Sequence, residues 1–165
     1  IPDTEIHYPV VWPEDNQTYL KRTFGGEKRA CGALFFEGSR SPFGGFNTVI
    51  YGHNMRSEAM FGGLKKYLEP DYGKTHRDFY IFFGGSWRHY QIFAVYRIRP
   101  QDISPYEGAF ASREALEEFV QSCRDRSLYA LEAAPEGTGE ILTLSTCHGS
   151  GERLIVQGWR KAEME

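Results

Sequence analysis

Several things are scarce in this chain, and each scarcity excludes a class. Only three cysteines occur in 165 residues, Cys31, Cys123 and Cys147. An odd set that small cannot form a disulfide framework, and its spacing matches no metal-ligand pattern. No basic excess exists either. The net charge is −3 and the Lys and Arg residues are scattered, which argues against a nucleic-acid partner. There is no run of about 18 apolar residues and no signal-type apolar stretch at the start, so the chain is expected to be soluble as it stands. Internal repeats and linkers rich in Pro or Ser are also missing, and 41% apolar content over this length supports one sizeable core. Residues 1–165 therefore read as a single domain.

What is present is mostly strand. Ala33–Glu37, Thr48–Tyr51, Phe79–Phe83, His89–Arg99, Leu128–Leu131, Ile141–Thr146 and Arg153–Trp159 are rich in β-branched and aromatic residues, with Gly, Pro or Ser between them. Seven short strands suggest a barrel or a sandwich. Helical pattern is expected around Asn16–Arg22, around Ser57–Leu68 and from Ser112 to Arg124. In the last of these, Leu116, Phe119, Val120 and Cys123 fall on one face behind Ser112 as N-cap.

Those assignments separate the thiols. Cys123 lies on the apolar stripe of its helix and Cys31 precedes Gly32 at a strand entrance, so both read as small buried hydrophobes. Cys147 differs, because alternation puts Ile141, Thr143, Ser145 and Cys147 on one face of a strand whose other face carries Leu142, Leu144 and Thr146. A loop of five residues, His148 to Glu152, would return the chain in a hairpin and set Arg153 nearly opposite Cys147. A cation beside a thiol favours the thiolate and offers donors to an oxyanion. The alternative is an ordinary hairpin with an arginine at a strand start. A thiol nucleophile also needs a base. His7, His76 and His89 have no partner motif, and His148, adjacent on the strand, should face away from Cys147. His53 emerges at the end of the apolar run NTVIYGHNM, but spacing alone cannot join it to Cys147.

At this point the residues carry a resemblance. IYGHNM (Ile50 to Met55) followed by MFGGLKKYL (Met60 to Leu68), with ILTLSTC and Arg153 heading RLIV, resembles the sortase family of Gram-positive surface transpeptidases, class B in particular. YPVV (Tyr8 to Val11), Asp15-Asn16 with Tyr19-Leu20, and Gly32-Ala33-Leu34-Phe35 follow the class B order. The resemblance implies a mainly β fold with peripheral helices: an eight-stranded sortase β-barrel with a helix inserted between strands 6 and 7. It implies Cys147 as nucleophile, His53 as general acid and base, and Arg153 as the group holding substrate or oxyanion. Asn16, Leu20, Tyr106 and Ser145 would be substrate contacts, although core packing for Leu20 and a loop cap for Tyr106 explain those residues equally well.

The implied reaction cleaves a sorting signal of NPxTx or related form after Thr. It joins the acyl group to a primary amine of cell-wall peptide or of a surface or pilin protein. Partners would be that signal peptide and that amine. No cofactor or metal is implied, and the calcium dependence of some class A sortases does not transfer. The resemblance also places such an enzyme outside a Gram-positive cell, held by a single N-terminal membrane helix of about 20 apolar residues upstream of Ile1. Two departures from the class B pattern stand out: the short interval from Cys147 to Arg153, and His148-Gly149 where acidic residues often follow the cysteine. A peptidase that only hydrolyses, and a β-barrel that binds peptide without turnover, are the rival readings.

Overall fold

The computed structural model describes residues 1–132, 139–147 and 151–162, with Cys147 described by its backbone alone. Nine elements build it: β1 (Val10–Val11), β2 (Leu34–Phe36), β3 (Asn47–His53), α1 (Pro70–Thr75), β4 (Asp78–Phe83), β5 (Ser86–Ile98), α2 (Arg113–Asp125), β6 (Ile141–Cys147) and β7 (Arg153–Arg160). Short 3-10 turns lie at Thr18–Leu20, Gly62–Leu68 and Ser104–Tyr106. The strands form one curled sheet in the order β1-β2-β3-β6-β7-β5-β4, a half-barrel. Most neighbours are antiparallel, but β3 and β6, the pair that matters for the site, run parallel.

Alternation along the strands makes two cores. Leu34, Phe36, Ile50, Ile92, Leu142, Leu144, Leu154 and Val156 fill the concave side. Phe93, Tyr96, Ile98, Ile141, Ile155 and Trp159 project from the other side and are covered by Leu116, Val120 and Cys123 of α2. That helix begins where its cap predicts, since the Ser112 side chain accepts the Ala115 N–H. Fully burying each such Leu, Ile or Phe side chain contributes about 1.5–3 kcal/mol.

The expectations are corrected in five places. Seven strands are present among the described residues, where eight were expected. Leu128–Leu131 is irregular: one backbone bond, Leu128 N–H to the Val95 carbonyl, joins it to β5, after which Tyr129 and Leu131 plug the core and the Tyr129 hydroxyl donates to the Tyr67 carbonyl. The inserted helix, expected between strands 6 and 7, lies between the fifth and sixth strands of this sheet, since five strands precede it. Asn16–Arg22 forms only a single 3-10 turn, closed by the Asp15 carboxylate, which accepts the N–H groups of Gln17 and Thr18 at 2.6 Å. Ser57–Leu68 likewise becomes the turn Gly62–Leu68, opened by two glycines, with α1 starting beyond it on Pro70.

The expected single-pass anchoring is also corrected. Among the described residues no helix is long and apolar enough to cross a membrane. The longest, α2, has 13 residues, about 20 Å against a hydrocarbon core of about 30 Å.

Candidate active site

The parallel ladder of β3 with β6 runs from Asn47↔Ile141 to His53↔Cys147, so the two residues singled out in the sequence end adjacent strands at the same level. Neighbouring strands lie about 4.8 Å apart. Spacing in the sequence could not show this meeting, because the two residues come from strands separated by most of the chain. On the other side of β6, the antiparallel register with β7 ends at Ser145↔Ile155. Continued two residues further, it sets Arg153 opposite Cys147. The strands part here for a physical reason: the Thr146 hydroxyl accepts the Leu154 N–H at 2.8 Å, which puts a side chain into the ladder. His148 and Gly149 lie outside the described residues.

His53 is half-buried, and its Nε2 lies 2.5 Å from the Leu20 carbonyl. A carbonyl only accepts, so Nε2 carries the proton and Nδ1 is the nitrogen left to exchange one. Gly32 lets the chain pass close to the Leu20 carbonyl. There φ is +61°, and a Cβ would stand 2.4 Å from the Tyr19 carbonyl oxygen and 2.8 Å from that of Leu20. Below His53, Gly52 leaves room for Phe61 and Leu34, whose side-chain carbons a Cβ would meet at 2.7 and 2.4 Å. Glycines on either side thus let the imidazole sit against a backbone carbonyl and above a packed core.

Arg153, at the head of β7, donates through Nη1 to the Tyr106 hydroxyl at 3.3 Å, and that hydroxyl shares a 2.9 Å hydrogen bond with the Ser145 hydroxyl. The Tyr106 ring rests edge-on against Tyr51, 5.6 Å between centroids. Its backbone is fixed as well, since Asn47 donates to the carbonyls of Pro105 and Glu107 and Arg40 to that of Tyr106. His53, Arg153, Tyr51, Phe35, Asn16 and Leu20 line one cavity of about 980 Å³.

The four expected contact residues are placed unequally. Leu20 lines the cavity but also serves His53 through its backbone. Asn16 reaches the cavity with its amide already engaged, donating to Glu37 and accepting from Gly38. Tyr106 joins Arg153 to the strand. Ser145 is fully buried beneath Tyr106. Two residues the sequence reading overlooked belong here: Tyr51, two positions before His53 and on its face, which period-2 alternation could have found, and Thr146, for which no local signal exists. Among the described residues no cluster of His, Cys, Asp and Glu could hold a metal ion.

Comparison with known proteins agrees with this geometry. The family described as "Sortase domain" matches residues 1–161. Sortase B of Listeria monocytogenes is 34% identical over 161 residues, 94% of this chain, and the chain spans 65% of that protein's length. A solved sortase B of Clostridium perfringens superposes with a TM-score of 0.89 at 26% identity, covering 98% of this chain and 91% of that one. A Staphylococcus aureus sortase B–substrate complex superposes with a TM-score of 0.86 at 24% identity over 96% of this chain and 75% of that one, which shows a shared fold. Taken with the curled sheet and the paired ends of β3 and β6, these matches establish that the chain belongs to the sortase family, with class B sortases among its relatives.

Proposed function

We propose that this protein is a cysteine transpeptidase, that residues 1–165 form its catalytic domain, and that Cys147, His53 and Arg153 carry the reaction. One observation supports this above the rest: the β3–β6 register pairs His53 with Cys147 while Arg153 lines the same cavity as His53. The substrate is a C-terminal sorting signal of NPxTx or related form. A relative from Staphylococcus aureus is described in complex with its substrate, and the cavity here is open enough for an extended peptide.

The chemistry follows from the groups present. The Cys147 thiolate attacks the Thr carbonyl carbon, and the oxygen that gains the charge is met by the Arg153 guanidinium. The Tyr106 hydroxyl, itself bonded to Ser145, holds that guanidinium. As the tetrahedral adduct collapses, the C–N bond breaks and the departing amine takes a proton from His53, leaving a thioacyl enzyme. A primary amine of cell-wall peptide or of a surface or pilin protein then attacks the thioester and gives its proton to His53. The cysteine leaves as thiolate, and Nε2 stays bonded to Leu20 throughout.

The test incubates the protein with sorting-signal peptides and triglycine, then weighs protein and products. A thioacyl adduct on Cys147 and a triglycine-extended product are expected. Free acid alone would make the protein a hydrolase, and peptide binding retained by Cys147→Ala with no cleavage by wild type would make it a binding module.

A further inference from the structure

Residues 21–29 build the cavity wall beyond His53. The Thr23 carbonyl accepts the Gly26 N–H at 2.9 Å, Thr23 N–H donates to the Glu27 carbonyl at 2.8 Å, and Arg29 N–H donates to the Lys21 carbonyl at 3.0 Å. Gly26 turns the chain at φ +86°. The result is a small hairpin in which Arg22 bridges to Lys28 and Lys21 stands beside Arg29. Cation therefore faces cation twice, an arrangement that costs stability.

Among the described residues a single exposed carboxylate offsets these four charges. All four residues are exposed and line the cavity, and no Asp or Glu among the described residues lines it with them. Glu27 alone approaches, 3.8 Å from Arg29, with both side chains more than two-thirds exposed at 72% and 67%. Among the described residues no carboxylate pairs with Lys21, Arg22 or Lys28. Arg22 donates instead to the Gly26 carbonyl at 2.9 Å, which pins its guanidinium to the hairpin. In a chain of net charge −3, this is a local concentration of positive charge at the mouth of the site.

Its position selects the ligand. Lys21 follows Leu20, whose carbonyl holds His53, whereas Arg153, which lines the same cavity, heads β7 and is bonded to Tyr106. On the proposed mechanism, on which this inference rests, the acyl oxygen lies toward Arg153 and the amines leave and enter at His53. We propose that the hairpin binds a carboxylate of the incoming acyl acceptor, so that the preferred acceptor is a peptide amine bearing free carboxylate groups.

Triglycine and triglycinamide test this, since they share a primary amine and differ in the carboxylate. Wild type should favour triglycine in kcat/KM by roughly 5- to 10-fold at about 0.01 M salt and lose the preference near 1 M, where screening is almost complete. The double variant Lys28→Gln/Arg29→Gln should bring the ratio close to one at low salt. Any intrinsic difference in amine basicity cancels between variant and wild type. A wild-type ratio near one, or a preference that the variant retains, would overturn the proposal. So would an effect of the variant only on cleavage of signals with Asp or Glu after the scissile bond, which would assign the cations to the leaving segment. Backbone amide shifts of residues 21–29, titrated with the same two compounds, give a readout without turnover: the acid should saturate them and the amide should not. Absence of a thioacyl adduct on Cys147 would defeat the transpeptidase reading, while the titration would still decide the anion site.

Discussion

Two tyrosine hydroxyls, Tyr96 and Tyr106, organise polar side chains on the same side of the sheet, and they do so to opposite ends. The Tyr96 hydroxyl lies 2.9 Å from Gln157 Oε1 and 3.5 Å from the Cys123 thiol, sealed under α2. From Gln157 the bonds continue to Thr143 at 3.1 Å and on to Asn47 at 2.7 Å, all of them buried. The Tyr106 hydroxyl also has two polar neighbours, Ser145 and Arg153, but Arg153 opens onto the cavity. Asn47 links the two circuits, because its amide donates to the turn that carries Tyr106. A closed circuit leaves no capacity for a ligand and specifies how the sheet packs. An open one keeps a charged group at the edge, where a substrate can complete its bonding.

Removing chemistry from the open end should have the largest effect. Cys147→Ala is expected to lower turnover by at least about 10⁴-fold with little change in melting temperature, measured as product formed by mass spectrometry. In the native protein Cys147 should also react with a methanethiosulfonate reagent well before Cys31 or Cys123, as peptide mapping would show. Labelling of Cys123, buried under α2, as fast as Cys147 would remove the distinction between the site and the sealed core, whereas half-buried Cys31 should fall between them.

Arg153 comes next. If it meets charge that exists only in the transition state, Arg153→Ala lowers kcat by about 10²- to 10³-fold and changes KM much less. Arg153→Lys recovers little, because a point charge cannot hold Tyr106 and an oxyanion at once as a planar fork can. Turnover within about threefold of wild type in the alanine variant would make the arginine architectural.

The tyrosines themselves give the sharpest contrast. Tyr96→Phe should cost about 1–3 kcal/mol of stability by leaving buried Gln157 short of a donor, with turnover per folded molecule unchanged. Tyr106→Phe should also cost stability, because buried Ser145 loses its partner, but unlike Tyr96→Phe it should slow turnover about 3- to 10-fold. Paired urea unfolding and kinetics on both variants read this. Matching losses of turnover in the two would erase the contrast.

Why the sequence disclosed one end of this system better than the other follows from the range of each signal. The apolar stripe of α2 and the alternation of Ile141–Cys147 are periodicities of the local chain, and both were legible. The resemblance named His53, Cys147 and Arg153 together, but their meeting depends on a parallel register that no local pattern encodes. Leu128–Leu131 misled for the complementary reason, since its apolar and aromatic composition reports burial, and burial without a strand ladder looks the same. The short helices failed where side-chain capping and glycine outweighed the apolar spacing. Arg22 and Lys28 had seemed scattered charges, and only the hairpin bridge brings them to one wall.

The smallest effect concerns pH, and it separates the closed circuit from the open one without touching activity. Burial first, and then the neighbouring Cys123, pushes the Tyr96 hydroxyl well above its ordinary value of 10.0, and burial pushes the Cys123 thiol above 9.0. Both groups therefore keep their protons in the fold at a pH where the unfolded chain loses them. The unfolded state then binds fewer protons, and stability falls as pH rises. Whatever Tyr96 contributes is fully present below pH 10 and declines above it. At pH 10 half of the unfolded tyrosine is ionised, a loss of about 0.4 kcal/mol, and near pH 11 the loss reaches about 1.4 kcal/mol. Tyr96→Phe has no such proton to lose. The stability gap between wild type and Tyr96→Phe should thus narrow by those amounts when urea midpoints at pH 7, 10 and 11 are compared. A gap that stays constant or widens would mean that the Tyr96 hydroxyl ionises as readily in the fold as in the open chain, and that the circuit under α2 is not sealed.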